Sequence, residues 1–424
     1  MIAAIKIGVI ADDFTGATDL ANNLVRSGMG VVQTIGIPAG PLTEQADAVV
    51  VALKTRTVPA ADAVAQSLAA LRWLQGQGAT QFYFKYCSTF DSTAQGNIGP
   101  VTDALMQALD TDFTIACPAF PENGRTVFKG YLFVGDELLH ESGMRHHPLT
   151  PMVDSSLVRV LQAQTKRRVG LIDYRTVALG ALAIKERIAQ LRAQGVGMAI
   201  VDAVSNSDLI AMGPAVSDLP LLTAGSGVAI GLAQNFGIQA GNSAARLPGA
   251  QGLRAIVSGS CSSATNAQVA DFISRGGVAF AVDPLQLAEG NDVVGQALAW
   301  ADEHLSSGPV LVYATALPEA VRTVQAQLGV LRAGEMVEKA LALVARGLAQ
   351  RGVGQLVVAG GETSGACVQS LGISSMRIGP QITPGVPWCY GASHHASQGA
   401  LHIALKSGNF GAVDFFTQAF TLLD

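Results

Sequence analysis

Charged residues and cysteines are scarce in this sequence, and each scarcity argues against a class of protein. Only 14% of the 424 residues are charged, and the formal net charge is -5 with no cluster of Lys or Arg. We therefore expect no general attraction to nucleic acid. The five cysteines are scattered and show no CxxC spacing. This pattern argues against a disulfide framework or a zinc site, and it favours free thiols in a reducing cytoplasm.

Long apolar runs are also missing, although 49% of the residues are hydrophobic. The longest weakly polar stretch, residues 219–233, is interrupted by Thr223 and by residues 225–227, so it is too short to span a bilayer. Asp12 and Asp13 come too early in the chain for a secretory signal peptide. We therefore expect a soluble cytoplasmic protein with no membrane partner.

Glycine is abundant, and short apolar segments alternate with helical patterns along the whole chain. The 47 glycines suit the tight strand-to-helix turns of α/β proteins. A chain of this length suggests two domains, and residues 237–252, rich in Gly, Ala, Ser and Pro, have the composition of a linker. We predict two three-layer α/β/α domains with mainly parallel sheets, at residues 1–240 and residues 253–424.

Two adjacent carboxylates, Asp12 and Asp13, occupy the first strand-to-helix turn. The apolar segment before them predicts a buried strand, and the apolar spacing after them predicts a helix. Ligands of such sheets bind at the carboxyl ends of the strands, where paired carboxylates suit a cation, a sugar hydroxyl or a proton to be moved. The alternative is that Asp13 or Thr15 simply caps the helix, and the turn alone leaves both interpretations open.

Cations follow two later predicted strands. Arg56 ends the segment Lys54-Thr55-Arg56, and its guanidinium could grip a carboxylate through two parallel hydrogen bonds. The alternative for Arg56 is a solvated loop. Lys85 begins a dense polar segment that also carries Ser88 and Asp91. Together these strand ends indicate a site for a small anionic ligand.

The next region departs from the strand–helix alternation. Asn123-Gly124 is a strong turn signal, and the apolar segments 126–128 and 131–134 predict an antiparallel excursion. Adjacent histidine side chains diverge, and no third partner has suitable spacing, so a substrate or interface loop is favoured over a metal site at His140, His146 and His147. The sequence identifies no metal ligands.

Glycine turns after predicted strands also mark the second half. Ser258 begins a small-residue turn that lacks the Lys of a Walker A loop and the GxGxxG spacing, but offers hydroxyls and amides at a helix N-terminus. A stronger signal follows a later buried strand, where paired glycines allow a ligand to approach the backbone: Gly360, Gly361, Glu362 and Thr363. The alternative is a turn required only for packing. Lys406, just past a further strand, could face phosphate.

Four segments together resemble the four-carbon acid sugar kinases: IADDFTGATDLA, KYCSTFDST, GGETSG and LKSGNFG. They occur in the right order over nearly the whole chain, and the likeness is greatest to the members that act on 3-oxo-tetronate. The resemblance implies an acid-sugar-binding domain at residues 1–240, a nucleotide-binding domain at residues 253–424 and an active site in the cleft between them. The implied reaction is ATP-dependent phosphorylation of the terminal C4 hydroxyl of a four-carbon sugar acid, usually with Mg²⁺.

The resemblance also assigns residues. The nucleotide site would comprise Ser258, Gly360, Gly361, Glu362, Thr363, Lys406 and Gly408. The acid-sugar site would comprise Asp12, Asp13 and the segment from Lys85 to Asp91, which includes Ser88, with Arg56 and Arg125 as further candidates. Asp13 or Asp12 would deprotonate the C4 hydroxyl, and the resemblance does not decide between them.

Other functions remain open at this point. D-threonate and D-erythronate differ from the 3-oxo acid by one hydroxyl or carbonyl, so pocket hydrogen bonds would decide among them. An NAD-dependent sugar-acid dehydrogenase would share the architecture, but DDFTGA stands where its glycine fingerprint would be. A non-catalytic sensor would bind the sugar acid without consuming ATP. A homo-oligomer is also open.

Overall fold

The computed structural model describes residues 5–147, 150–241 and 243–423. The chain divides into two compact units, residues 1–245 and residues 246–424, and the boundary falls within the predicted linker. Each unit contains mainly parallel β-strands with helices on both sides, which confirms the predicted fold class. In the described part of the chain, no helix is long and apolar enough to cross a bilayer.

The first unit is organised around a parallel sheet with the strand order β2-β3-β1-β4-β11-β5-β10-β9. Strand β1 lies between β3 and β4, with Ile7 opposite both Ala48 and Gln81. The strands are β1 (Ile7–Ala11), β2 (Val31–Ile35), β3 (Ala48–Ala52), β4 (Gln81–Lys85), β5 (Thr114–Cys117), β6 (Arg125–Phe128), β7 (Tyr131–Val134), β8 (Glu137–Leu138), β9 (Arg168–Ile172), β10 (Val196–Val201) and β11 (Leu221–Ala224).

Helices cover this sheet, and strands β1 and β3 are accordingly free of polar side chains, since a sheet covered on both faces buries every side chain. All five residues of β1 and of β3 are buried. The helices are α1 (Phe14–Arg26), α2 (Ala60–Gly76), α3 (Ile98–Ala108), α4 (Leu157–Gln162), α5 (Tyr174–Val177), α6 (Ala181–Ala193) and α7 (Asn206–Ala215).

The predicted antiparallel excursion is confirmed. Strands β6 and β7 pair antiparallel, with Arg125 opposite Val134 and Phe128 opposite Tyr131. A short third strand, β8, pairs with β7 and was not expected from the sequence, because two residues carry too little pattern to predict a strand.

The second unit is built on a sheet with the order β13-β14-β12-β15-β18-β17-β16. Strands β12 to β15 and β18 are parallel, whereas β17 runs antiparallel to both β16 and β18. The strands are β12 (Leu253–Ser258), β13 (Val278–Ala281), β14 (Val310–Tyr313), β15 (Val353–Ala359), β16 (Ser375–Thr383), β17 (Val386–Ala392) and β18 (Ala400–Lys406).

The core of this unit includes Trp388 of β17, which is fully buried and donates its indole N–H to the carbonyl of Ala419 at 2.9 Å. Phe415, Phe416 and Phe420 pack in the same cluster. The helices are α8 (Ser263–Ser274), α9 (Pro284–Ala288), α10 (Val293–His304), α11 (Pro318–Leu328), α12 (Val330–Gln350), α13 (Gly361–Ser370) and α14 (Phe415–Gln418).

Asp202, directly after β10, ties the excursion to the main sheet of the first unit. The side chain is fully buried, and its carboxylate accepts backbone N–H groups of Lys129 at 2.6 Å, Gly130 at 2.8 Å and Tyr174 at 2.8 Å. Removing the carboxylate would leave buried donors without a partner, which is costly.

We expect Asp202→Ala to destabilise the protein by roughly 2–4 kcal/mol, because charge-assisted hydrogen bonds are lost and buried N–H groups are left unpaired. Chemical denaturation followed by circular dichroism would measure this. The matched control is Asp218→Ala, which removes an exposed carboxylate paired with Lys185 and should leave the denaturation midpoint unchanged. Equal effects of the two substitutions would contradict the structural role of Asp202.

Candidate functional site

Asp13 is the N-cap of α1, so the capping interpretation of the first turn holds for this residue. Its Oδ1 accepts the backbone N–H of Gly16 at 3.1 Å, and its Oδ2 accepts the hydroxyl of Thr15 at 2.9 Å. Capping does not exclude chemistry, because the Asp13 side chain remains 25% exposed whereas that of Asp12 is 8% exposed. Asp13 is therefore the more exposed carboxylate of the pair.

Arg56 binds both carboxylates of this turn. Its Nε and Nη2 donate to the two oxygens of Asp12 at 2.9 and 2.8 Å, and Nη2 also donates to Oδ1 of Asp13 at 2.7 Å. Nη1 lies 3.9 Å from a carboxylate oxygen of Asp91. The predicted two-bond grip on a ligand carboxylate would need donors that Arg56 has already committed to Asp12.

The shared guanidinium and the burial of the site shift the two carboxyl groups in opposite directions. Burial is the largest influence on Asp12 and raises its pKa, although Arg56 acts against it. Burial acts the same way on Asp13, but Arg56, Lys85 and the bonds from Thr15 and Gly16 outweigh it, so the pKa of Asp13 lies below its usual value. Asp13 is therefore the more firmly ionised of the two.

Lys85, at the carboxyl end of β4, is buried beside the same turn. Its Nζ donates to the carbonyl of Tyr86 at 2.6 Å, and a Cβ placed on Gly16 would come within 2.9 Å of it. Glycine at position 16 is thus what allows the first turn of α1 to approach the ammonium group. The positive charge of Lys85 acts to lower the pKa of both Asp12 and Asp13.

The segment after Lys85 is held in a fixed shape. Thr89 donates its hydroxyl to Oδ1 of Asp91 at 2.6 Å, and Ser88 is half-buried next to it. Phe90 is fully buried with a positive φ of 53° and packs edge-on against Tyr86 at 5.4 Å between ring centroids. A left-handed backbone at a bulky residue is rare and persists only where the surrounding packing imposes it.

Asp19 is a buried acidic residue that sequence reasoning missed. It lies in the middle of α1, accepts the hydroxyl of Ser226, and is influenced by the charges of Lys85 and Arg125. Its Oδ1 has no hydrogen-bond partner among the described residues, and neither has Nε of Arg125. Burial raises the pKa of Asp19 to about 7. The available signal was polar residues at helical spacing on an otherwise buried helix: Asp19, Asn22, Asn23 and Arg26.

A cavity of about 640 Å³ lies in the second unit. Part of its wall is apolar and comes from α11 and α12 and from the ends of β13 and β14: Val282, Tyr313, Val321, Val324 and Val337. Another part is glycine-rich and polar: Gly259, Ser260, Gly360, Gly361, Glu362, Thr363 and Gly408. An apolar surface joined to exposed backbone is the arrangement expected for a ligand with a flat ring and an anionic tail.

Three loops meet at the glycine-rich part of this cavity. A Cβ on Gly408 would lie 2.5 Å from the hydroxyl of Ser260, and a Cβ on Gly360 would lie 3.1 Å from the backbone nitrogen of Ser260. Gly360 also has a φ of 124°, which side chains rarely adopt. Helix α13 follows directly and has no side-chain cap, so the N–H groups of its first turn have no capping side chain. The approach of the loops depends on glycine.

The predicted nucleotide residues divide into two groups. Gly360, Gly361, Glu362, Thr363 and Gly408 line the cavity. Ser258 and Lys406 are fully buried and are not part of its lining; the hydroxyl of Ser258 lies 2.7 Å from that of Thr315. The sequence interpretation missed lining from α11, from Tyr313 and Thr315, and from Ser260.

Comparison with known proteins explains this arrangement. Residues 7–232 match a family model described as a sugar-binding N-terminal domain, and residues 255–416 match one described as a nucleotide-binding C-terminal domain. The chain belongs to the four-carbon acid sugar kinase family. The resemblance drawn from four short segments is thereby confirmed.

Relatives match over almost the full length. A protein from Cupriavidus necator named 3-oxo-tetronate kinase is 60% identical over 97% of this chain and 96% of its own. A Burkholderia multivorans protein of the same name is 60% identical over 99% and 97%. A solved structure from Salmonella typhimurium LT2, described as a tRNA synthase, superposes with a TM-score of 0.88 at 48% identity, covering 99% of this chain and 100% of that one.

Asp19 makes the stability of the first unit depend on pH. Its pKa is about 7 in the folded protein against an ordinary value of 3.8, so between these values the folded state binds the extra proton. The contribution of Asp19 to stability is therefore lost as pH rises from about 4 through 7. Asn cannot take up this proton, so the Asp19→Asn variant should not lose this contribution. We expect its free energy of unfolding to rise relative to that of the wild type by about 1–3 kcal/mol between pH 5 and pH 8.

Chemical denaturation of both proteins at the two pH values would measure this difference. The comparison is internal, because each protein serves as its own reference at pH 5. A stability difference that is the same at both pH values would contradict the assignment.

Proposed function

We propose that this protein is an ATP-dependent kinase that phosphorylates the C4 hydroxyl of 3-oxo-tetronate. The observation that carries the proposal is the 60% identity, over nearly the full length of both chains, to relatives named 3-oxo-tetronate kinase. The net charge of -5 and the lack of a Lys or Arg cluster argue against a function on tRNA. We also propose a cytoplasmic location, which suits five free cysteines.

In this proposal, residues 253–424 bind the nucleotide in the cavity of the second unit. The apolar wall formed by α11, α12 and Tyr313 receives the base, and the loops at Gly259, Gly360 and Gly408 face the phosphates. Backbone N–H groups at a helix N-terminus favour anions, and α13 begins at this wall. Ser258 and Lys406 support the cavity from behind.

The residues at this cavity also suit magnesium. Asp283, Glu338 and Glu362 line it and offer the hard oxygen donors that Mg²⁺ prefers. Within the described residues, no group of three His, Cys, Asp or Glu side chains is placed to hold an ion alone, so phosphate oxygens would complete the coordination. We propose that Glu362 and Glu338 hold the ion, which would neutralise charge on the transferred group.

Residues 1–240 bind the sugar acid in this proposal, at the carboxyl ends of β1, β3 and β4. Lys85 is the cation we assign to the substrate carboxylate, together with Ser88 and Asp91 for its hydroxyls. Arg56 and Asp12 act as a pair: Asp12 fixes the guanidinium, and the guanidinium holds Asp13 ionised. Asp13 is the proposed base, since it is the more exposed and the more firmly ionised carboxylate of the pair.

The transfer step is a single displacement. The C4 hydroxyl oxygen bonds to the γ-phosphorus of ATP, and the bond between that phosphorus and the β,γ-bridging oxygen breaks, releasing ADP. The hydroxyl proton passes to the carboxylate of Asp13. Such reactions depend mainly on positioning and charge neutralisation, which the paired carboxylates and cations of this site can supply.

An ADP-release assay tests the proposal. Wild-type protein should release ADP with 3-oxo-tetronate and Mg²⁺ and should favour this acid over D-threonate and D-erythronate. Release with one of the other acids instead would change the substrate, and binding without ADP release would indicate a sensor. Reduction of NAD⁺ by a tetronate would indicate a dehydrogenase.

We expect Asp13→Asn to lower kcat roughly 10²- to 10⁴-fold with a smaller change in the KM for the sugar acid, because the proton acceptor is lost. Asn is also a good N-cap, so the melting temperature should stay close to that of the wild type. Steady-state ADP release and thermal melting give both quantities. Turnover close to wild type would remove Asp13 from the chemistry.

Helix α11 allows a matched test of the nucleotide cavity. Ala320 lines the cavity, whereas Ala326, on the same helix, is exposed and is not part of the lining. We expect Ala320→Phe to raise the KM for ATP by about tenfold or more, corresponding to at least ~1.4 kcal/mol of lost binding. Ala326→Phe should leave the KM unchanged. Equal KM values in both variants would place the nucleotide elsewhere.

A further inference from the structure

Lys406 ends β18 directly behind the nucleotide cavity, and its ammonium group is enclosed by oxygen atoms. The residue is fully buried, and its Nζ donates to the hydroxyl of Thr265 at 3.1 Å and to three backbone carbonyls. These carbonyls belong to Ser407 at 3.0 Å, Gly408 at 3.0 Å and Phe410 at 3.2 Å. Burial lowers the pKa of Lys406 to about 7.

Helix α8 holds the same loop from the other side. The hydroxyls of Ser262 and Thr265 donate to the carbonyl of Gly408 at 2.7 and 2.8 Å. Gln268 donates its side-chain amide to three carbonyls of the loop, each at 3.0 Å: Phe410, Gly411 and Ala412. With Lys406, these contacts engage the carbonyls of residues 407, 408, 410, 411 and 412.

Gly408 is the point where this network meets the cavity. It lines the wall, yet its carbonyl oxygen accepts three donors that lie behind the wall, from Lys406, Ser262 and Thr265. A carbonyl oxygen facing a triphosphate would repel it. Because the three donors hold this oxygen on the side away from the cavity, its partial negative charge does not face a bound phosphate.

We propose that Lys406 is a positioning residue for the nucleotide, which acts by fixing the carbonyl of Gly408 away from the phosphates and does not itself touch them. This inference rests on the proposed function and assigns Lys406 a different role from the phosphate contact that its sequence position suggests. Direct contact would require the ammonium to leave the four oxygens that now surround it.

A structure of the wild-type enzyme with a non-hydrolysable ATP analogue tests the geometry directly. The bonds from Lys406 to Gly408 and Phe410 should persist, with Nζ beyond hydrogen-bond distance of every phosphate oxygen. A phosphate oxygen within about 3.2 Å of Nζ would overturn the inference. An analogue that does not bind in this cavity at all would overturn the proposed function instead.

Kinetics give an independent test. Lys406→Met and Thr265→Val should each raise the KM for ATP by about tenfold, with a smaller effect on kcat and none on the KM for the sugar acid. If both act on one carbonyl, the double variant should be little worse than either single variant. A roughly hundredfold rise in the double variant would indicate independent contacts and contradict the inference. Lys339→Met, which removes an exposed lysine of α12, is the matched control and should match the wild type.

Discussion

The first unit depends on one guanidinium placed between two neighbouring carboxylates. Asp12 and Asp13 follow β1 directly, and without Arg56 they would repel each other at a buried strand end. Arg56 comes from the loop after β3, the strand beside β1, so the parallel pairing of these strands delivers the cation to the carboxylates. The sheet register, the cap of α1 and the charge of the site are therefore linked.

In the second unit, the glycine-rich loops place partial charges at the cavity with backbone atoms and not with ionised side chains. The loops approach each other closely at Gly360 and at Gly408, because glycine has no side chain there that would separate them. Polar side chains then stand behind the wall and engage the carbonyl oxygens. Charge in this unit is arranged mostly by the direction of backbone dipoles, whereas in the first unit it is arranged by ionised side chains.

The sequence predicted the fold class and the residues at strand ends because both follow from local patterns. Apolar runs followed by polar or glycine turns marked β1, β4 and β15, where the structure has strands. The β16–β17 hairpin was missed because Pro380 and Pro387 argue against strands, and register shifts accommodate them between Ile378 and Thr383. The sequence also could not predict that Lys406 does not line the cavity. It places this residue at a strand end but does not show in which direction the side chain points.

Residues that lie in the middle of elements escaped prediction for a related reason. Asp19 belongs to a helix whose polar residues suggest a solvated face, yet the structure buries it against Ser226. Helix α11 contains no buried residue, so its role as a cavity wall depends on where the chain places it. Long-range packing decides both: the polar spacing along α1 marks Asp19 as unusual, but it does not show that the fold buries this side chain.

The left-handed backbone at Phe90 has a consequence for how the first unit meets its ligand. A conformation of this kind survives only because the buried ring of Phe90 is locked against Tyr86. The loop that presents Asp91 is therefore already ordered before any ligand arrives, and the entropy of ordering it is lost during folding. In the proposed function this loop faces the sugar acid, and affinity for so small a molecule, which offers few contacts, would benefit from such a rigid loop.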